Sequence, residues 1–199
     1  LNENVFRVPL LVAVTLIIAF GGGILSTLSA LNASAGFGAI ELGGWRAFPL
    51  VQTIDADPYA KSHRAKAGRL LYGSAEGLVF TAASDGQNRR LNGTCRYRLS
   101  GLPPLSRFWT LYAAGLDGLP LKPTPDRPGA LNSLTVLRAE DGSFDIEISA
   151  TARPGNWLAL PDTGAFVLTL TLLDTPAAGS SGLVDLAMPK IENIGCGNV

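Results

Sequence analysis

His63 is the only histidine in the chain's 199 residues, so any reaction that needs an imidazole must use it. Asp55 and Asp57 lie close by in sequence. A zinc or similar ion takes three or four ligands, and a single imidazole cannot found a histidine-based cluster. His63 therefore reads as a packed or surface residue of a helix. A Ser-His-Asp hydrolase would have to bring a serine to that ring, yet the G-x-S-x-G elbow is missing. Neither a Walker A loop nor G-x-G-x-x-G offers a backbone cradle for phosphate. Asp145 and Glu147 share one face of a strand, and paired carboxylates are the tools of glycoside hydrolysis. Beside the Asp141-Gly142 turn they read instead as the wet face of a hairpin. The sequence thus predicts no catalytic residue, no metal ligand and no cofactor.

Charge and sulfur are more informative. Arg89, Arg90, Arg96, Arg98 and Arg107 fall within nineteen positions. Alternation puts Arg96 and Arg98 on one strand face, where they and Arg89 and Arg90 are candidate contacts for an anionic lipid headgroup or an acidic partner. A solvated edge that discourages sheet-to-sheet pairing is the plainer reading. The aromatic set Phe108, Trp109, Tyr112 and Trp157 has the chemistry of a sugar-stacking platform. Alternation, however, sends Trp109 and Leu111 to one side and Phe108, Thr110 and Tyr112 to the other, which is a core pattern. Cys95 and Cys196 are the only cysteines. In an oxidising compartment such a pair forms a disulfide that ties down a terminus; two unrelated buried thiols are the alternative. Neither belongs to a C-x-x-C motif.

The elements that must position these residues are mostly strands. Charged residues make up 16% of the chain and are balanced at sixteen of each sign, so no global charge draws it to nucleic acid. With 23 glycines and 13 prolines, short strands and turns are favoured over a helical bundle. Residues 1–30 differ from the rest. Val8 to Leu28 carries no charge and is long enough to cross a bilayer as a helix. Arg7 before it weakly favours an N-terminus in the cytoplasm. A cleaved signal peptide competes, because Ala33-Ser34-Ala35 has the small-residue pattern of a cleavage site, but the apolar run exceeds a usual signal core. Gly21-Gly22-Gly23 within it would permit close helix packing.

Residues 31–54 read as a Gly/Ala-rich stalk, with Trp45 and Phe48 either at the membrane interface or packed on the domain. The domain itself is expected over 55–199. It opens with a helix from Asp57, an N-cap, through Pro58 to Gly73. Period-two strands follow in "GLVFTAAS", "TCRYRLS" and "SRFWTLYAAG". A long loop leads to "LNSLTVLRAEDGSFDIEISA", read as a hairpin with Phe144, Ile146 and Ile148 facing in. The last main strand alternates Phe166, Leu168, Leu170 and Leu172 with Val167, Thr169, Thr171 and Leu173, which suits a central strand covered on both faces. This pattern predicts a mainly β chain: a single-pass helix, then an antiparallel sandwich of jelly-roll type with one short helix.

"DPYAKSHRAKAGRLLYG", "RRLNGTCRYRLSGLPPLSRFWTLYAAGLDG", "DGSFDIEIS" and "GNWLALPDTGAFVLTLTLLDTP" occur in an order that resembles the bacterial domain-of-unknown-function family 1214, from about Asp55 to Pro176. Ala114 and Gly115 depart from that family's Asp-centred ending of the aromatic strand, and Leu172 and Leu173 from its usual Arg and Tyr. The resemblance implies a β-rich fold, often behind a membrane segment, and no particular activity. The functional expectation is a non-catalytic accessory or structural subunit in the bacterial inner membrane. Residues 8–28 would hold it in the bilayer, its domain would lie in the periplasm, and it would dock on a larger membrane assembly. A tethered glycan- or small-molecule-binding module is the alternative.

Overall fold

From Asn4 to Ala33 the backbone is helical, as the uncharged apolar run Val8 to Leu28 within it should be in lipid, where every backbone polar group must bond within its own segment. Helix α1 (Asn4–Leu16) passes through a π-helical turn at Ile17–Gly21 into α2 (Gly22–Ala33), and the wider turn falls where the glycine run begins. The hydroxyls of Thr15, Ser26 and Thr27 donate back to carbonyls one turn earlier. Arg7 to Ala30 is long and apolar enough to cross a membrane. The computed structural model describes residues 4–33, 39–49, 77–122, 125–161, 164–176 and 186–197, and positions 56, 58, 61, 62 and 65. The chain divides into two units, Leu1–Phe37 with Asp55–Leu70 and Gly38–Ile54 with Leu71–Val199.

The second unit is a two-sheet β structure. One sheet runs β1 (Ile40–Leu42), β2 (Trp45–Ala47), β3 (Gly77–Ala82), β9 (Val167–Leu173), β5 (Phe108–Ala114), β6 (Ala130–Asn132), all antiparallel. The other runs β10 (Lys190–Cys196), β4 (Cys95–Gly101), β7 (Phe144–Ser149), β8 (Asn156–Ala159), with the last pair parallel. Their inner faces form one core in which Phe80, Leu111, Leu168 and Leu170 of the first sheet meet Leu99, Ile146, Ile148 and Leu158 of the second. Tyr97 meets Phe166 edge-on at 5.8 Å between ring centroids, and Trp109 meets Phe144 at 5.3 Å. The mainly β reading holds.

Strand β9 shows why its sequence looks as it does. It lies between β3 and β5, so Leu168, Leu170 and Leu172 fill the core while Thr169 and Thr171 are shielded by neighbouring strands. Thr169 sits opposite Thr81 and Tyr112, and Thr171 opposite Val79 and Thr110. β-branched residues are stiff and pack well on such a pleated surface.

Two expectations need correction. The stalk expected over 31–54 contains the β1–β2 hairpin, which belongs to the first sheet. Gly43 takes the left-handed conformation at the turn, and a side chain at Gly44 would press on the Ser84 carbonyl. Trp45 is core, its indole N–H donating to the Pro189 carbonyl at 2.8 Å. The hairpin expected across Asp141-Gly142 does not pair with itself. Its first arm is β6, in the sheet of β5, while β7 pairs with β4 and β8. The reason is local: the Asn132 carboxamide accepts from the N–H groups of Leu134 and Thr135, so the strand turns away after three residues. Phe144, Ile146 and Ile148 nevertheless face inward. The helix expected from Asp57 to Gly73 lies outside the described residues, except for Pro58, Lys61, Ser62 and Ala65, which are helical. His63, Asp55 and Asp57 lie outside them too.

Candidate functional site

Register assembles the polar face of the molecule. On the outer side of the four-stranded sheet, Glu192, Arg98, Glu147 and Trp157 lie in one cross-strand row. Lys190, Ser100 and Asp145 form the next row. Opposite charges alternate along these rows. Arg98 Nε lies 3.8 Å from Asp145, Arg96 is 3.9 Å from Glu147, and Arg153 Nε is 3.4 Å from the same Glu147 oxygen. Trp157 closes the row, half-buried, and its indole N–H donates to the Ser149 carbonyl at 3.1 Å. Beside it, a depression of about 480 Å³ is bordered by Arg98, Glu147, Arg138, Pro154 and Asn156. Among the described residues the face carries Lys190, Arg96, Arg98 and Arg153 against Asp145, Glu147 and Glu192. Arg96, Arg98 and Arg153 stand against Glu147 and Asp145, so the face presents a mosaic rather than one strongly positive patch.

The arginines singled out in the sequence therefore separate. Arg96 and Arg98 share the sheet face. Arg89 belongs to the β3–β4 turn, where its guanidinium bonds Asp85 at 2.9–3.0 Å. Arg90 is exposed in that turn. Arg107 lies at the opposite end of the sandwich, 3.7 Å from Asp174.

Asp85 was not visible as special in the sequence. Its side chain is 1% exposed, and it organises the turn by accepting from the backbone N–H groups of Gln87 and Arg89. Burial alone would raise its pKa. The backbone N–H and guanidinium of Arg89, with the Gln87 N–H, outweigh that and hold the carboxyl below its ordinary value. Tyr97, also buried, is raised by burial, although its hydroxyl accepts the Asn92 N–H at 2.8 Å. Asp85-Gly86 stands in a polar run between two strands, and only tertiary packing makes the carboxylate buried. It also borders a cleft of about 700 Å³ between the β1–β2 turn and β10, floored by Trp45, Met188 and Ile191.

Cys95 and Cys196 are disulfide-bonded across adjacent strands β4 and β10. Cys95 belongs to the inward face that also carries Tyr97 and Leu99. Trp109 is 1% exposed, so it offers no stacking platform, and among the described residues its indole N–H has no hydrogen-bond acceptor. No group of three His, Cys, Asp or Glu gathers among the described residues.

A family model described as "Protein of unknown function (DUF1214)" matches residues 76–177. No curated protein matches the chain. Among solved structures, the VPA0106 protein from Vibrio parahaemolyticus is similar, with a TM-score of 0.57 at 21% identity over 71% of this chain and 36% of that one. An uncharacterised protein from Burkholderia cenocepacia gives a TM-score of 0.45 at 20% identity over 89% and 51%. The chain thus spans from about a third to about half the length of these structures. The first likeness bears on the fold alone.

Proposed function

The chain belongs to the DUF1214 family, and we propose that it works as a membrane-tethered, non-catalytic accessory domain on the periplasmic side of a bacterial inner membrane, docked on a larger membrane assembly. The observation that carries this reading is the helix Arg7–Ala30, of 24 residues. Its apolar side chains lie open all round, with Leu10 at 64% and Ile17 at 71% exposure. A helix apolar on every side belongs in lipid or in the core of a larger structure. The Cys95–Cys196 disulfide supports an oxidising compartment for the domain. A sheet face of interspersed charges suits a specific polar partner, because mosaic charge sets register and excludes wrong partners more than it adds affinity. Gentle extraction from native membranes followed by native electrophoresis and mass spectrometry tests the assembly. Migration as a single chain would overturn it.

A second reading, a tethered glycan- or small-molecule-binding module, is favoured by Trp157, a half-buried indole beside Glu147, Arg153 and the depression along β7. Titrating the protein with soluble envelope oligosaccharides while following tryptophan fluorescence tests it. A response lost in Trp157→Phe would favour this module.

A further inference from the structure

We infer that Cys196 is the sulfur through which the Cys95–Cys196 bond is made and exchanged, with Asn193 positioned to favour its thiolate and Cys95 closing the bond. The partner is a dithiol oxidoreductase of the oxidising compartment, carrying a disulfide of its own. The two sulfurs stand in different surroundings. Cys95 is 8% exposed on the inward face of β4, beside Tyr97 and Leu99, and burial among such neighbours disfavours a thiolate. Cys196 is exposed at the end of β10, between Gly195 and Gly197. Its sulfur is the accessible one, and neither neighbour carries a side chain to crowd an approaching protein.

The irregularity of β10 brings Asn193 to that sulfur. Three residues apart in a regular strand, Asn193 and Cys196 would point to opposite faces. The register shift between Asn193 and Gly195 sets Asn193 opposite Tyr97 and Cys196 opposite Cys95, so both face inward. The Gly195 N–H donates to Asn193 Oδ1 at 2.9 Å, which fixes the carboxamide and turns its Nδ2 to Cys196 Sγ at 3.2 Å. An N–H aimed at sulfur favours the thiolate, because a charged acceptor takes the stronger hydrogen bond. The charged side chains of β10 and β4, Lys190, Glu192, Arg96 and Arg98, lie on the outer face instead. Asp85 and Arg89 of the β3–β4 turn bond each other.

Oxidation then has a fixed order. The Cys196 thiolate attacks the disulfide of the oxidoreductase, a bond forms between the two proteins, and one oxidoreductase sulfur leaves as thiolate. Cys95 gives its proton to water and attacks the Cys196 sulfur of this mixed disulfide. The Cys95–Cys196 bond forms and the second oxidoreductase sulfur leaves. Two electrons and two protons pass from the cysteine pair to the oxidoreductase in all. Exchange runs the same steps backward, so an incoming thiolate also meets Cys196 first. This order needs the oxidising compartment but neither the anchor nor the larger assembly.

The test uses the full chain in detergent, as Cys95→Ser and Cys196→Ser forms that each keep one thiol, with oxidised glutathione as the probe. Cys196 should take up glutathione about ten-fold faster than Cys95 at neutral pH. Loss of the bond loosens β10 in both forms, and loosening can only expose Cys95 further, so it works against this result. Equal rates, or faster reaction at Cys95, would overturn the order. In concentrated urea the two rates should converge, and a difference that persisted there would trace to local sequence and overturn the structural cause. Asn193→Ala in the Cys95→Ser chain should move the pH profile of the Cys196 reaction upward. An unmoved profile would overturn the role of Asn193.

Discussion

Trp45 and Trp109 are equally buried indoles that differ by one hydrogen bond, so the same substitution at each isolates that bond. Trp45→Phe leaves the Pro189 carbonyl without its donor, whereas Trp109→Phe deletes an N–H that has no acceptor among the described residues. The first should cost about 1–3 kcal/mol more than the second in urea unfolding, since a buried group left unpaired carries its full desolvation penalty. Equal costs would mean that the Trp109 N–H is satisfied in solution. Asp85 is the residue whose stability contribution depends on pH. Its folded pKa lies below the ordinary value of 3.8, so the stabilisation is present above that value and lost as pH falls through it toward the folded pKa. Asp85→Asn should be clearly less stable than wild type at pH 7, and the gap should narrow on acidification below about pH 4. A gap that stays constant down to pH 3, in chemical denaturation at matched ionic strength, would remove Asp85 as the source.

The strands were legible in the sequence wherever one period-two face is apolar. β3, β4, β5, β7 and β9 each follow the alternation of their own residues. Partner choice was less legible, because it depends on where a strand stops. Asn132 ends β6 after three residues and sends the chain to the other sheet, and a carboxamide in a loop gives no sign of that before its hydrogen bonds are seen. The β1–β2 hairpin was hidden for the opposite reason: six residues of strand in a Gly/Ala-rich run look like a linker until Trp45 is found under Pro189. Trp157, grouped in the sequence with the aromatics of a stacking set, ends a charged row on the outer face. It is only partly exposed there, and its indole N–H finds an acceptor in the Ser149 carbonyl. Trp157→Ala should accordingly cost only about 1–2 kcal/mol, from partial burial and one hydrogen bond. Trp109→Ala, in the core, should cost about 3–5 kcal/mol. Comparable urea midpoints for the two variants would contradict the difference in burial. At the candidate site, the sequence set Arg96 and Arg98 on one strand face and Asp145 and Glu147 on another, but not their pairing, since β7 reaches β4 only through the tertiary fold.

At the scale of the molecule, the disulfide and the membrane topology constrain one another. Among the described residues β10 is the edge strand of its sheet and pairs only with β4, and it contains a register shift between Asn193 and Gly195. A strand so placed frays readily unless something fixes its end. The Cys95–Cys196 bond closes a loop across a sequence separation of 101 residues and should stabilise the domain by about 2–4 kcal/mol. Reduction, or the Cys95→Ser/Cys196→Ser variant, should speed amide exchange along β10 while leaving β9 protected between β3 and β5. In cells the bond needs an oxidising compartment, so it places the sandwich outside the cytoplasm if it is found there. A cysteine introduced in the connection before β1, as Ser34→Cys, should then react with an impermeant thiol reagent in spheroplasts, and peptide mapping of alkylated protein should recover Cys95 and Cys196 linked. The two readouts must agree. Labelling of Ser34→Cys only after lysis, together with two free native thiols, would reverse the topology and remove the periplasmic domain at once, whereas a linked pair with an unreactive Ser34→Cys would mean that the connection is covered rather than cytoplasmic.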